Sequence, residues 1–367
     1  MRIESLRLQN FRNIRNMLFL PTPGVNVICG ENAQGKTNLL EAVWLFTGAR
    51  SFRGAKESEY LLFGETRAQL ALTFFSQQRE QTASIVFGAE KKNVEHNEIK
   101  QDGTAALAGS LGAVVFSPDH LNLIKQGPEF RRKLLDQSLC QAYPKYAKAL
   151  EGYGRILRQR GNLLRDVQYR PSLLGTLDTW DEILLEYGSY ITATRARYAK
   201  KLAEKAARIY EGISSGREKF DAAYQFSFEA EPETTDRAVI RQKMEHALRQ
   251  SREKDIQQGV SFVGPHRDDL EILVGGKSAR AFGSQGQQRS CVLALKLAEC
   301  GILEESMAEP PVVLLDDVMS ELDEGRRSYL LQQMEGRQVL ITCCDTSAFT
   351  GTIGSEAVFR IAAGALL

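Results

Sequence analysis

The segment Gly30-Glu31-Asn32-Ala33-Gln34-Gly35-Lys36-Thr37 has the spacing G-x-x-x-x-G-K-T, and that spacing suits the handling of nucleotide phosphates. The glycines let the backbone curl so that its N–H groups face the phosphates. A helix starting at Lys36 adds its own unpaired donors and its dipole. Lys36 then reaches the β- and γ-phosphates, and the Thr37 hydroxyl ligates Mg²⁺. Gly30, Glu31, Asn32, Ala33, Gln34, Gly35, Lys36 and Thr37 are therefore the expected ATP contacts. A second pattern, Val312-Val313-Leu314-Leu315-Asp316-Asp317, reads as a buried strand that delivers Asp316 to its carboxyl end, where it can hold Mg²⁺ through water. Asp317, one residue on, is placed to orient or deprotonate an attacking water. About 280 residues separate Lys36 from Asp316, so a large insertion is expected between the two motifs.

The elements that must position these residues follow from periodicity. An apolar strand at 25–29 runs into Gly30, and a helical pattern begins near Lys36. Alternating segments at 69–75 and 82–87 and a short apolar run at 113–116 predict further strands. From about 129 to 250 the chain reads as mostly helix. Tyr146, Leu150, Tyr153, Leu157 and Leu164 form one stripe. Trp180, Leu184, Tyr187, Ile191, Tyr198 and Leu202 form another, with an interruption at Thr194. After Val260 the pattern of strand and helix returns: strands near 270–274, a helix over 286–303, and buried runs at 312–315 and 339–341 of the kind found in parallel sheets. The expected architecture is an α/β body (1–128 with 255–367) interrupted by a helical lobe (129–254).

Phe282-Gly283-Ser284-Gln285-Gly286-Gln287-Gln288-Arg289 precedes that last helix. Ser284 with Gln287 three residues on is a capping box, which by itself means a well-capped helix. The same residues at a helix start can also receive an anion. The segment lies between the two phosphate motifs, in the order of the ATP-binding-cassette superfamily. It resembles that superfamily's signature, with Ser284, Gly286 and Gln287 at matching places. The resemblance implies that the signature of one subunit contacts the γ-phosphate bound by another, which adds Ser284 to Lys36 and Asp317 as catalytic candidates. One copy of each motif per chain then implies an ATP-dependent homodimer.

Nearly the whole chain resembles the RecF family of bacterial recombination-repair proteins. The matching residues include Leu8 to Asn13, Ser51-Phe52-Arg53, the phosphate loop, Phe116-Ser117-Pro118, Arg131-Arg132, Leu135-Asp136, Gln159-Arg160, Trp180-Asp181 and Tyr187-Gly188. Further on come Gly264-Pro265-His266-Arg267-Asp268-Asp269-Leu270, then Ser284 to Arg289, and Leu315-Asp316-Asp317 leading into Ser320-Glu321-Leu322-Asp323. The resemblance implies a cassette-type ATPase head like those of chromosome-maintenance proteins, with a short helical arm. It also implies DNA binding at gaps, partnership with RecR, and with RecO the placing of RecA on single strands. Where the family has two adjacent acidic residues after the proline, this chain has Asp119 then His120. Asp119 is thus the acidic candidate for a Mg²⁺-sensing role. Asp345 stands where transporter cassettes carry a switch histidine, and Asp317 stands where they carry glutamate, which suggests slow hydrolysis.

The chain has 367 residues, 43% hydrophobic and 25% charged, with a net charge of +1. That composition argues against disorder, and it requires any nucleic-acid surface to be local. From Lys125 to Arg165 there are ten Lys/Arg against three Asp/Glu, a stripe able to follow phosphates by charge without reading bases. Arg131, Arg132, Lys133, Arg155 and Arg158 are the expected DNA contacts. The six cysteines and four histidines show no metal-binding spacing. No apolar run is long enough to span a membrane and no export signal is evident, so a cytoplasmic protein is expected. An ABC-transporter ATPase subunit and a monomeric P-loop kinase are the competing readings. The basic insertion argues against the first, and the unused signature segment argues against the second.

Overall fold

Two kinds of apolar patterning in the chain produce two kinds of large sheet. The computed structural model describes residues 1–88, 92–345 and 357–367. The chain begins with β1 (Arg2–Phe11), β2 (Ile14–Phe19), β3 (Val25–Cys29) and α1 (Lys36–Leu45), then β4 (Arg67–Ser76), β5 (Arg79–Gly88), β6 (Asn93–His96), β7 (Ile99–Gln101) and β8 (Ala113–Phe116). There follow α2 (Asn122–Lys125), α3 (Pro128–Ala142), α4 (Pro144–Val167), α5 (Leu177–Ser214), β9 (Phe220–Gln225), α6 (Arg237–Gln258), β10 (Asp269–Val274), β11 (Lys277–Ser278) and α7 (Ala279–Phe282). The chain closes with α8 (Gln285–Met307), β12 (Val312–Asp316), α9 (Glu324–Gln332), β13 (Val339–Cys343), β14 (Val358–Ala362) and β15 (Ala365–Leu366).

Contacts divide these elements into two units. The first comprises Met1–Leu121, Cys140–Pro144 and Val292–Leu367. Its alternating strands make an antiparallel sheet of order β2-β1-β4-β5-β6-β7. Its short apolar strands make the second sheet, β15-β14-β3-β13-β12-β8, parallel from β14 through β8. Helix α1 is buried nearly all round. Leu39, Leu40, Val43 and Trp44 share one core with Leu6, Leu8 and Leu70 of the antiparallel sheet and with Val115, Leu314 and Leu340 of the parallel one. Each such side chain contributes about 1.5–3 kcal/mol of burial, so α1 and the loop before it are anchored on two sides.

The second unit comprises Asn122–Leu139 and Lys145–Cys291. It contains the expected helices, with two differences. Helix α5 runs unbroken for 38 residues: the Thr194 hydroxyl donates back to the Tyr190 carbonyl at 2.7 Å and stays within the helix. The strand expected near 270–274 does not rejoin the large sheets. It is β10, paired antiparallel with β9 and β11 in a sheet of its own. Residues 255–291 therefore belong to this unit, not to the body to which their patterning had assigned them.

A hydrogen-bond network and one ion pair hold the 264–270 segment, for which the sequence offers no firm mechanism. The Pro265 carbonyl accepts from Arg195 at 2.6 Å. Asp268, fully buried, accepts from the Tyr224 hydroxyl at 2.7 Å, the Ser227 N–H at 2.8 Å and the Thr192 hydroxyl at 3.2 Å. Asp269 takes two bonds from Arg131, at 2.7 and 2.8 Å. His266 Nδ1 lies 2.7 Å from the Tyr153 hydroxyl and Nε2 lies 3.0 Å from the Ser261 carbonyl. A neutral ring that donates from Nε2 and accepts the Tyr153 proton at Nδ1 satisfies both.

Burial is the largest cause that lowers the His266 pKa, from 6.5 to about 4; the Ser261 bond opposes it, and Arg267, Arg132 and Arg160 add to it. The unfolded chain then binds more protons than the folded one between these two values. Stability from this group is fully present above about 6.5 and is lost as pH falls toward about 4. Between pH 7 and pH 5 the wild-type chain is expected to lose about 2 kcal/mol more stability than His266→Gln in urea unfolding. Identical acid limbs for the two proteins would contradict this.

Candidate nucleotide site and signature segment

Gly30 ends β3 because nothing larger fits there: a Cβ would lie 2.3 Å from the Ile361 carbonyl oxygen. Gly35 caps α1 at φ 110, a conformation that only glycine adopts at low cost. The loop between them is held from outside. The Asn13 amide donates to the Ala33 carbonyl at 3.2 Å and accepts from Asn38 at 2.8 Å. The Gly364 N–H donates to the Gln34 carbonyl at 3.0 Å.

Lys36 is 4% exposed, and its Nζ donates to the Gly30 and Glu31 carbonyls at 2.7 and 3.0 Å. These neutral acceptors hold the ammonium over the loop until an anion, a stronger partner, competes for it. The Thr37 hydroxyl donates to Asp316 Oδ1 at 2.7 Å. Asp316 ends β12, and the register of β12, β13 and β3 brings it beside Thr342. The Thr342 hydroxyl lies 3.0 Å from Asp316 Oδ1 and accepts the Asp317 N–H at 2.9 Å. Asp317 sits in the left-handed region at φ 51, a strained conformation of the kind that clusters at functional sites. A concavity of about 350 Å³ is lined by Asn32, Gly35, Lys36, Thr37, Arg53 and Asp317 among others.

Burial is the largest cause raising the Asp316 carboxyl above its ordinary value. The bonds from Thr37 and Thr342 oppose that rise, and the Asp317 charge adds to it. A buried carboxylate beside a threonine hydroxyl is a hard-oxygen pair whose charge a cation would relieve. This fits Mg²⁺, which takes one or two protein oxygens and completes its shell with phosphate and water. Asp119 is exposed on the turn after β8, the strand next to β12, and makes no hydrogen bond to Thr37. Asp345 is exposed just past β13.

Three residues quoted in the sequence only as parts of motifs, Arg12, Ser51 and Arg53, acquire positions here, around a Glu41 that no motif contained. Glu41 of α1 is fully buried and accepts two bonds from Arg12, both at 3.0 Å, and one from Ser51 at 2.5 Å. Arg53 donates to Asn38 at 2.9 Å. The sequence assigns Thr342 no role. A threonine on a buried strand has no motif spacing, and only strand register reveals that it joins both aspartates.

In the second unit, the capping box at the signature segment forms as its residues suggest. Ser284 N–H donates to Gln287 Oε1 at 2.7 Å, and Gln287 N–H donates to Ser284 Oγ at 3.2 Å. Gln287 also donates to Glu218 at 2.7 Å, and Glu218 accepts from Tyr210 of α5 at 2.7 Å. Ser284 is nevertheless exposed, Gly286 is half-buried, and Phe282 just before them is 73% exposed.

The five arginines and lysines expected to contact DNA separate. Arg131 is 5% exposed, and its guanidinium is bonded to Asp269 and to the Leu123 and Gln126 carbonyls. It has no surface to offer a phosphate, and the expectation for it is corrected. Burial was invisible in a charge stripe that counted Arg131 and the equally buried Arg160 as surface charge. Arg132 is half-buried and donates to the Asp268 carbonyl at 2.8 Å. Lys133 is half-buried, and Arg155 and Arg158 are exposed on α4.

A parallel sheet carrying a phosphate loop at β3 and a buried aspartate at β12, with a signature-type helix start in the same chain, defines an ATPase head of the ATP-binding-cassette class. A family model described as the RecF/RecN/SMC N-terminal domain matches residues 2–363. The DNA replication and repair protein RecF of Acetivibrio thermocellus is 38% identical over 99% of both chains. A solved structure of the recombination mediator protein RecF with ATP, in the RecFOR pathway, is 35% identical, covers 100% of this chain and 97% of that one, and has a TM-score of 0.92. The Smc head domain of Pyrococcus furiosus shares the fold at 16% identity and a TM-score of 0.54, covering 100% of this chain and 95% of that one. The chain belongs to the RecF family of DNA replication and repair proteins. Among the described residues, no helix is long and apolar enough to cross a membrane.

Proposed function

We propose that the chain binds ATP with Mg²⁺ at the 30–37 loop, pairs with a second copy around that nucleotide, and holds DNA while paired. The observation that carries this reading is that one chain contains two different half-sites. The first unit has a phosphate loop with Lys36 and the Thr37–Asp316 pair. The second has an exposed capped helix start at Ser284 with no phosphate loop of its own.

In this reading Lys36 donates to the β- and γ-phosphates, and Thr37 and Asp316 hold the metal side of the nucleotide. Bound Mg²⁺ supplies charge neutralisation at the phosphates. Asp317 orients the attacking water, and its short side chain suits slow turnover. Ser284 and the backbone N–H groups near Gly286 and Gln287 of the partner copy complete the γ-phosphate shell. Arg155 and Arg158 of α4, with Arg132 and Lys133 of α3, follow DNA phosphates by charge. Family membership supports action with RecR, and with RecO and RecA downstream, in loading recombinase at single-strand gaps. It also sets aside the transporter and kinase readings.

Sedimentation velocity with and without ATP tests the clamp. The wild-type chain is expected to shift from monomer to dimer on adding ATP and Mg²⁺, and Ser284→Arg is expected to stay monomeric while still binding nucleotide. A Ser284→Arg protein that dimerises as the wild type does would remove the signature from the interface.

A further inference from the structure

The second unit contains a cavity of about 640 Å³ between α4 and the segment that follows α6. Arg155, Arg158, Arg165 and Arg267 line it together with Leu157 and Val260, and no Asp or Glu is among its lining residues. Two of the arginines are fixed in place by neutral partners. Arg165 donates to Asn162 at 2.5 Å and to the Gly259 carbonyl at 3.3 Å. Arg267 donates to the Ser261 carbonyl at 3.1 Å and stands 5.4 Å from the Phe262 ring centroid. Arg155 has one weak, exposed partner, Glu151, at 3.5 Å, and Arg158 has no hydrogen bond or ion pair among the described residues. Their charge is largely uncompensated.

A continuous duplex can meet this concavity only with backbone phosphates at its rim, because its bases stay stacked. The volume instead falls within the range of sites for small ligands, about 300–1,000 Å³. Guanidinium planes can pair with phosphate and can stack on the face of a base. Leu157 and Val260, the latter 38% exposed, provide an apolar wall for a base. We propose that this cavity is a subsite for one unstacked nucleotide of a single strand, its phosphate at the arginine rim and its base against Leu157 and Val260. The proposal rests on the DNA-binding reading above and adds to it the place on this chain that takes an unstacked nucleotide of a gap. The subsite is separate from the 30–37 phosphate loop.

The test uses the full chain with ATP and Mg²⁺, a gapped duplex carrying 2-aminopurine in its single-stranded stretch, and a continuous duplex of the same length. Wild-type protein is expected to raise the 2-aminopurine fluorescence by unstacking the base. Val260→Glu, at an exposed position, and Arg267→Gln are each expected to abolish that rise. Each should also weaken gapped-DNA binding at least about fivefold, as lost base stacking implies, and leave continuous-duplex affinity within about twofold. If both variants keep the fluorescence rise and the gapped-DNA affinity, the subsite is overturned while DNA binding stands. Equal weakening on both DNAs overturns it as well, because the cavity would then serve duplex phosphates. A glutamate-rich peptide that binds wild type but neither variant, with gapped-DNA binding unchanged, would assign the arginines to an acidic protein partner instead. Wild-type protein that binds neither DNA overturns the DNA reading and the subsite with it.

Discussion

Lys36→Met is expected to weaken ATP binding at least about 100-fold and to abolish ATP-dependent association. The size follows from charge and burial. Lys36 is 4% exposed, so its ammonium faces a phosphate with little water to screen it. Loss of charge-assisted hydrogen bonds of this kind costs about 3 kcal/mol. Methionine keeps much of the side chain's length and apolar stem, so α1 retains its packing. The Gly30 and Glu31 carbonyls that Lys36 holds at 2.7 and 3.0 Å lose a donor, but they lie beside the concavity and can turn to water. A thermal melt without nucleotide should therefore change little, whereas calorimetric titration with ATP and Mg²⁺ should show the loss. Affinity within threefold of wild type would mean that Lys36 is not the phosphate ligand. A dimer that persists in this variant would mean that nucleotide does not hold the copies together.

Arg195→Met should destabilise the second unit by about 3–5 kcal/mol, the usual cost of stranding one partner of a buried ion pair. Arg195 bonds both oxygens of Asp136 at 2.8 Å, the Tyr146 hydroxyl at 3.1 Å and the Pro265 carbonyl at 2.6 Å. Burial works against the charge, but Asp136, the largest opposing influence, joins Tyr146, Tyr224 and Asp268 in holding the guanidinium pKa well above its ordinary value. The substitution leaves Asp136 with the Tyr146 hydroxyl, at 2.6 Å, as its remaining partner of these. Adding Asp136→Leu removes the stranded charge, and the double variant should recover at least about 2 kcal/mol of the loss. Urea unfolding of the four proteins closes the cycle. If the two losses simply add, the pair is not coupled, and the network does not brace the 264–270 segment in the way described.

The fold and the site were legible in the sequence to different depths. Residues 30–37 and 312–317 declare themselves because phosphate binding imposes residue types at fixed spacing. Each lies at the end of a short strand whose apolar run is also local. The capping box at Ser284 and Gln287 is equally local, and it forms with both of its bonds. Arg131 and Arg160 were misread because charge counts carry no burial. Both arginines point inward only because Asp269, Asp181 and Asp255, distant in the chain, meet them there. The strand at 270–274 was assigned to the α/β body for a related reason. Its partner β9 lies more than forty residues earlier, and alternation shows that a strand exists without showing which strand it joins.

What the sequence by itself determined is therefore the chemistry at phosphate: the loop, the helix start and the paired aspartates, each written within about eight consecutive residues. Only the tertiary structure decided which other groups surround that chemistry. Strand register brought Thr342 to Asp316 and Asp317, and the burial of α1 brought Arg12 and Ser51 to Glu41. The packing of α4 against the segment after α6 gathered four arginines around one cavity. Spacing along a chain is set by covalent geometry and can be read directly. Proximity across a fold is set by which apolar faces find each other, and no single segment records it.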